Sequence, residues 1–247
     1  MLRILASAIF FVSVLPFLTA EEPIADKKEG RYEWKKFHDP DGIGKFYLGR
    51  EIAHVMTHHG AGWLERSERE KEEQPDKLHK ALKLEAGMVV VDMGAGSGYH
   101  TFRMAPLVGE KGKVLAVDIQ KEMLDLIKKR MDKEGVKNIE TVLGEVADPK
   151  LKDNSVDLIL LVDVYHEFAQ PYEMTEKMVK SLKPGGRLVF VEFRLEDKEV
   201  PIKLVHKMTE RQVVKEMEEF KELAHVETIK DLPWQHVIVF KKVVEKK

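Results

Sequence analysis

From Gly87 onward the chain alternates short runs rich in β-branched residues with longer amphipathic stretches. That alternation confines it to an α/β architecture, a parallel sheet built through helical crossovers with helices on both faces. Strands are expected near 88–92, 113–118, 139–143, 156–162 and 187–193, and helices near 98–107, 121–134, 171–182 and 209–222. Thr209 and Gln212 make a capping box at the start of the last of these helices. The final apolar runs, HVETI at 225–229 and HVIVF at 236–240, are separated only by KDLPWQ. That link is too short for a helical crossover, so the two runs must pair antiparallel.

Upstream of this body the sequence divides into three. Residues 1–20 have one early cation, Arg3, an uncharged apolar stretch from Ile4 to Leu18, and the small Ala20 before two acids, as in a secretory signal peptide. The stretch is shorter than the roughly 20 residues of a membrane span, which favours cleavage near Ala20. Leu18 is bulkier than the small residue usual three positions before cleavage, so a retained anchor and a misassigned start stay open. Cleavage would export the protein to a periplasm or the exterior, retention would leave it membrane-anchored, and a misassigned start would leave it cytoplasmic. Residues 21–45 mix charge with Gly and Pro without period and read as a linker or wrapping arm. Over 46–86 a helical cap is expected, because Leu48, Ile52, Val55, Met56 and His59 fall on one helical face. That helix should end at Gly60 or Gly62, and the charge-dense stretch that follows reads as a solvated helical surface broken at Pro75.

Composition narrows the chemistry. With 41 basic and 43 acidic residues and a formal net charge of −2, the chain has no basic surplus for nucleic acid, and its partners are expected to be small molecules. Cysteine is absent, which removes disulfides, thiolate metal sites and thiol catalysis. A metal would need His or carboxylate ligands. His54 and His58 are spaced i,i+4 but lack a third ligand, and no metal site is expected from the sequence.

The stretch VVVDMGAGSGYHT at 89–101 ends a strand and opens a helix. Ligands of open α/β sheets bind beyond the carboxyl ends of the strands, where Gly94, Gly96 and Gly98 fall. Glycine there permits positive φ and close approach of a ligand to the backbone. The spacing is G-x-G-x-G, whereas the dinucleotide fingerprint is G-x-G-x-x-G, which disfavours a nicotinamide or nucleotide-sugar enzyme. Asp118 closes the next strand in VLAVDIQ, placed either to accept from both hydroxyls of a ribose or simply to cap the following helix.

At these residues the chain resembles the class I S-adenosylmethionine-dependent methyltransferases, from about Gly87 to Phe240. VVVDMGAGSG is similar to the family's D-x-G-x-G-x-G motif and LAVDIQ to its second motif. GEVADPKLKDNSVD at 144–157 aligns without a gap to its G-D-A-x-x-L-P-F-x-D-N-S-F-D segment, and LKPGGRLVFVEF at 182–193 to the L-K-P-G-G-x-L run before its fifth strand. The resemblance implies a Rossmann-like seven-stranded methyltransferase sheet over 87–247, parallel except for an antiparallel strand in the C-terminal hairpin. It implies S-adenosylmethionine as cofactor, with Asp92 and the backbone of Gly94 and Gly96 toward the methionine part, Asp118 on the ribose, and Gly98 and Tyr99 among the other cofactor-binding residues. Ile119 would flank the adenine, Val146 would offer its N–H to the ring, and Glu145 stands where the family more often has Asp.

LLVDVYHEF ends the fourth strand, in the stretch that the resemblance places over the sulfonium, which makes Asp163, Tyr165 and His166 the candidate active-site residues. In-line transfer needs a nucleophile held about 3 Å from the methyl carbon and water kept out. A hydroxyl acceptor also needs a base, and His166 has the right chemistry; its alternatives are a helix cap or a wall of the adenosine pocket. V-D-V-Y differs from the N-P-P-Y type used on amide and exocyclic amino nitrogens, which argues against DNA adenine and protein glutamine as acceptors. His100 and His206 are further imidazoles that could reach the site, and VPIKLVHKM at 200–208 either covers the acceptor pocket or packs on the sheet. The expected activity is methyl transfer to a small-molecule acceptor; the alternative is an inactive protein of the same fold that binds cofactor or ligand.

Overall fold

The computed structural model describes residues 30–243, so the leader at 1–20 and the first part of the 21–45 arm lie outside the described residues. The described part of the arm does not act as a linker. It carries β1 (Tyr32–Trp34), which pairs antiparallel with β2 (Gly42–Tyr47), and β2 pairs in turn with β3 (Arg50–Ala53). The helix expected from Phe46 is therefore absent. Leu48 and Gly49, at φ +49° and +94°, make a two-residue turn between β2 and β3. Tyr47, Ile52 and Ala53 are buried by this hairpin, while Val55 and His59 of the supposed helical stripe are exposed. Docking of the hairpin outweighs a spacing that fitted a helix by coincidence. Helical structure does follow, as α1 (Ala61–Leu64), α2 (Arg69–Glu72) and α3 (Pro75–Leu82), the last beginning at the expected Pro75.

The alternation beyond Gly87 is realised as β4 (Val89–Met93), α4 (Tyr99–Val108), β5 (Lys113–Asp118), α5 (Lys121–Glu134), β6 (Ile139–Leu143), β7 (Val156–Val162), α6 (Pro171–Ser181), β8 (Leu182–Phe193), α7 (Glu210–Met217), β9 (Leu223–Ile229) and β10 (Gln235–Lys242). One seven-stranded sheet results, in the order β6-β5-β4-β7-β8-β10-β9. Every pair is parallel except those made by β10, which runs antiparallel to both β8 and β9. Thr209 caps α7 by accepting from the Gln212 N–H at 3.0 Å. The helix ends five residues early, and Phe220 is buried in the turn that follows.

Strand alternation divides the core between the two faces. Val90, Leu158, Leu160, Val189 and Val191 pack with α3, α4 and α5. Val91, Met93, Ile159, Leu161 and Phe190 pack with α6 and α7. No helix among the described residues is long and apolar enough to cross a membrane. Strand order reverses at β4, so the loops after β4, β5, β7 and β8 open onto one crevice at the carboxyl edge of the sheet.

Candidate functional site

That crevice holds a cavity of about 560 Å³, within the usual range for a small-molecule site. Its floor is formed by the strand ends. Its roof is the segment after β3, through Val55, Met56, Trp63, Leu64 and Arg69. Gln120 fastens the roof down: its Nε2 donates to Met56 O at 2.9 Å and its Oε1 accepts from His58 N at 2.8 Å.

On the β4 and β5 side five of the residues singled out in the sequence, Gly94, Gly96, Asp118, Ile119 and Val146, line the cavity. Gly94 and Gly96 line the cavity at φ +69° and +53°. A Cβ at Gly94 would stand 2.4 Å from Val164 and one at Gly96 2.6 Å from Leu64, so both positions must present bare backbone. Asp118 is buried in the cavity wall, its Oδ2 accepting from Gly96 N at 2.9 Å and its Oδ1 from Gln120 N at 2.8 Å. Burial raises its pKa, partly offset by those N–H donors, and each oxygen keeps a second lone pair for a ligand hydroxyl. Ile119 and Val146 are the apolar walls beside it.

Four of the residues expected on the cofactor stand apart from the cavity lining. Gly98, at φ +87°, caps α4. Asp92 lies behind the loop, where Thr101 Oγ1 donates to its Oδ2 at 2.5 Å and burial pushes its carboxyl up to about 7. The Tyr99 hydroxyl donates to Glu70 at 2.7 Å. Glu145 is 68% exposed with its carboxylate 2.8 Å from Lys150, so it does not face the adenine wall; the Glu145–Asp148 bridge turns its side chain outward.

Across the crevice, the loop after β7 brings acids and imidazoles together. Asp163 lines the cavity in the left-handed region, φ +49°, an uncommon conformation that Asp tolerates better than most residues. Gln235 Nε2 donates to its Oδ2 at 2.6 Å, whereas its buried Oδ1 has no partner. Burial, reinforced by nearby Glu73 and Glu192, holds this carboxyl well above the usual range. His166 is 2% exposed and also lines the cavity. Its Nδ1 donates to Glu192 Oε2 at 2.6 Å, and Glu192 is fixed by the Tyr165 N–H at 3.1 Å. Burial alone would lower the His166 pKa, but the Glu192 carboxylate outweighs it and the net shift is upward. Tyr165, the third residue expected here, does not line the cavity: its ring is buried in the core against Phe168 and Phe190.

Two neighbours complete the surroundings of His166: His206, one of the two further imidazoles expected to be able to reach the site, and Glu167, which the sequence did not single out. His206 lies 3.2 Å from His166, Nδ1 to Nε2, and Glu167 accepts from Met56 N at 3.2 Å. Burial pushes His206 down to about 4 and Glu167 up to about 7. Pro201, Ile202 and Lys203 line the cavity beside His206, so the segment before α7 does cover the pocket. Arg69 was also missed. It is buried in the cavity wall, with Nε on Glu73 at 2.6 Å, Nη1 on Leu64 O at 2.9 Å and Nη2 on His100 at 3.1 Å. His100 reaches His79 rather than the cavity. His54, His58 and His59 are not helical neighbours, because β3 ends at Ala53 and a 3-10 turn begins at His58; none lines the cavity.

Comparison with known proteins agrees with this geometry. The family described as "Methyltransferase domain" matches residues 84–239. The chain is similar to an arsenite methyltransferase of Halobacterium salinarum, 30% identical over 102 residues that cover 41% of this chain and 26% of that protein. It is 32% identical over 108 residues to a ubiquinone/menaquinone biosynthesis C-methyltransferase of Escherichia fergusonii, covering 43% of each. The chain thus spans less than half the length of these curated relatives. A solved SAM-dependent methyltransferase from Aquifex aeolicus superposes with a TM-score of 0.72 at 26% identity, over 76% of this chain and 100% of that one.

Proposed function

Because the chain belongs to the methyltransferase-domain family of class I, S-adenosylmethionine-dependent enzymes, we propose that it transfers a methyl group in line to a small-molecule acceptor. S-adenosylmethionine is the cofactor, and it supplies an electrophilic methyl on a sulfonium. The residues fit it. The glycine turn at Gly94 and Gly96 presents backbone to the cavity for the chain of the cofactor to lie against, the free lone pairs of Asp118 suit a ribose diol, and Ile119 and Val146 form an apolar slot for a base.

The observation that carries the reading is that this half-site and the His166–Glu192 pair open into one cavity from opposite sides of β4. Glu192 fixes the Nδ1 proton of His166, so Nε2 carries the lone pair that can take a proton from the acceptor as its nucleophilic atom attacks. The roof that Gln120 ties down covers part of the cavity, which limits the access of water to the reacting atoms. Met174, Phe168, Phe193 and Ile202 line the acceptor half, favouring an acceptor with an apolar body. A cysteine-free chain has no thiolate for a soft arsenic(III) centre, which argues against arsenite.

Calorimetric titration of S-adenosylmethionine and S-adenosylhomocysteine, followed by transfer from methyl-labelled cofactor to a panel of hydroxyl, amine and carbon acceptors, tests this. Micromolar or tighter binding is expected. Asp118→Ala should weaken it by about 10- to 100-fold, the loss of hydrogen bonds to a charged acceptor. No binding to folded wild type would instead make the chain a protein that keeps the fold for another ligand.

A further inference from the structure

We propose that His166, Glu167 and His206 form a binding site for one divalent transition-metal cation of the zinc type, in the wall of the cavity opposite the glycine loop. Their donor atoms make a nearly regular triangle. His166 Nε2 is 3.2 Å from His206 Nδ1 and 4.0 Å from Glu167 Oε1, and the last two are 3.8 Å apart. The centre of the triangle lies about 2.1 Å from all three, the bond length that zinc makes to imidazole nitrogen and carboxylate oxygen, and a small inward turn of the Glu167 side chain, to roughly 3.4 Å from each nitrogen, lifts the ion out of the donor plane into a tetrahedral position. The two imidazoles meet nearly edge to face, at 85°.

The surroundings are those of a metal site too. The remaining ring nitrogen of His166 donates to Glu192, the carboxylate–histidine arrangement that fixes the tautomer and raises the basicity of a ligating imidazole. A divalent cation on two neutral imidazoles and one carboxylate keeps a single positive charge, which the buried Glu192 balances. All three donors belong to the cavity lining, so the fourth position of a tetrahedral ion faces the cavity, the open geometry of catalytic rather than structural zinc. Nitrogen and oxygen donors without sulfur suit zinc, cobalt, nickel or iron(II) rather than copper(I). Binding of the ion rests on this geometry alone; its role rests on the methyl-transfer reading, and because the ion takes up the Nε2 lone pair of His166, Lewis-acid activation of the acceptor's heteroatom replaces proton transfer to that ring in the loaded protein.

The test is titration of Zn²⁺, and of Co²⁺ as a spectroscopic substitute, into chelator-stripped full-length protein, with S-adenosylmethionine affinity measured on the same samples. One cation per chain is expected, with the visible absorption of four-coordinate cobalt on nitrogen and oxygen. His206→Ala and Glu167→Gln should each weaken binding at least about tenfold, the least expected when a direct ligand is lost. His225→Ala, at an exposed histidine on β9, should leave it unchanged. Absence of stoichiometric binding, or binding that survives both ligand variants, overturns the site. Retained cofactor affinity shows that a variant has folded. Cation binding without cofactor binding would break the methyl-transfer reading and leave the metal site standing, and the converse result would do the opposite.

Discussion

Two pairs of histidines, buried except for the half-buried His206, meet with nearly the same geometry and opposite character, one in the cavity lining and one behind Arg69. His166 and His206 meet at 3.2 Å with ring centroids 5.2 Å apart, and His79 and His100 meet at the same two distances. The partner at the far end of each pair decides its charge. His166 Nδ1 donates to Glu192, so its Nε2 is left as an acceptor and protonation is favoured by a neighbouring carboxylate. His100 Nε2 faces the Arg69 guanidinium, which can only donate, so that nitrogen must accept and Nδ1–H must point at His79. A second proton on His100 has no place to go. Burial, with the Arg69 charge beside it, holds His100 well below its ordinary value, and burial pushes His79 down to about 4. One pair is built to exchange a proton or hold a cation, and the other to stay neutral and brace the roof.

The comparison breaks most visibly at His166. His166→Ala is expected to lower methyl transfer to the acceptor found by labelling about 10²- to 10⁴-fold, the usual contribution of a positioned base. Cofactor affinity should change less than about twofold, because the ring faces the far wall from Asp118. Equal losses in turnover and affinity would make His166 a wall of the adenosine pocket.

Next in size is Arg69→Met. It removes the donor that keeps His100 neutral and strips one of the two arginines from Glu73, which is 2% exposed. Leaving such a carboxylate short of a partner should lower unfolding stability by about 3 kcal/mol in urea. A loss under about 1 kcal/mol, the range of a surface ion pair, would mean that Arg66 holds Glu73 unaided.

The two halves of the cavity also differ in how much of them the sequence reveals. Gly94, Gly96 and Asp118 were legible because their roles are local: each follows directly on its own strand, and the backbone geometry needed there leaves glycine as the answer. His166 was legible as a strand-end imidazole. Glu192 and His206, which give it its chemistry, are 26 and 40 residues away and meet it only through the pairing of β7 with β8. No spacing rule reports such a contact. Arg69 sits in a stretch so rich in charge that its burial left no trace in composition. The hairpin of β2 and β3 was hidden for another reason, since Leu48, Ile52, Val55 and Met56 satisfy a helical period while Gly49 between two apolar runs marks the turn. Asp92 and Tyr99 belong to the right motif, but they hold its loop and helix from behind.

The smallest effect sharpens the contrast through acid. His79 takes up its proton near pH 6.5 when unfolded and only near 4 when folded, so between those values the unfolded state binds more protons. Its contribution to stability is complete above about pH 6.5 and is lost as the pH falls toward about 4. Asp92 acts in the opposite sense: its carboxyl, raised to about 7, makes the folded state the better proton binder over much of the same window. The whole-protein curve therefore mixes both signs, and only a difference isolates the histidine. His79→Gln keeps an acceptor for the His100 N–H and removes the titration. Between about pH 7 and about pH 5 wild type should lose about 2 kcal/mol more unfolding stability than the variant, as the shift requires. Parallel curves would mean that His79 is charged in the folded protein as readily as in the unfolded chain, and the two histidine pairs would then differ in geometry alone.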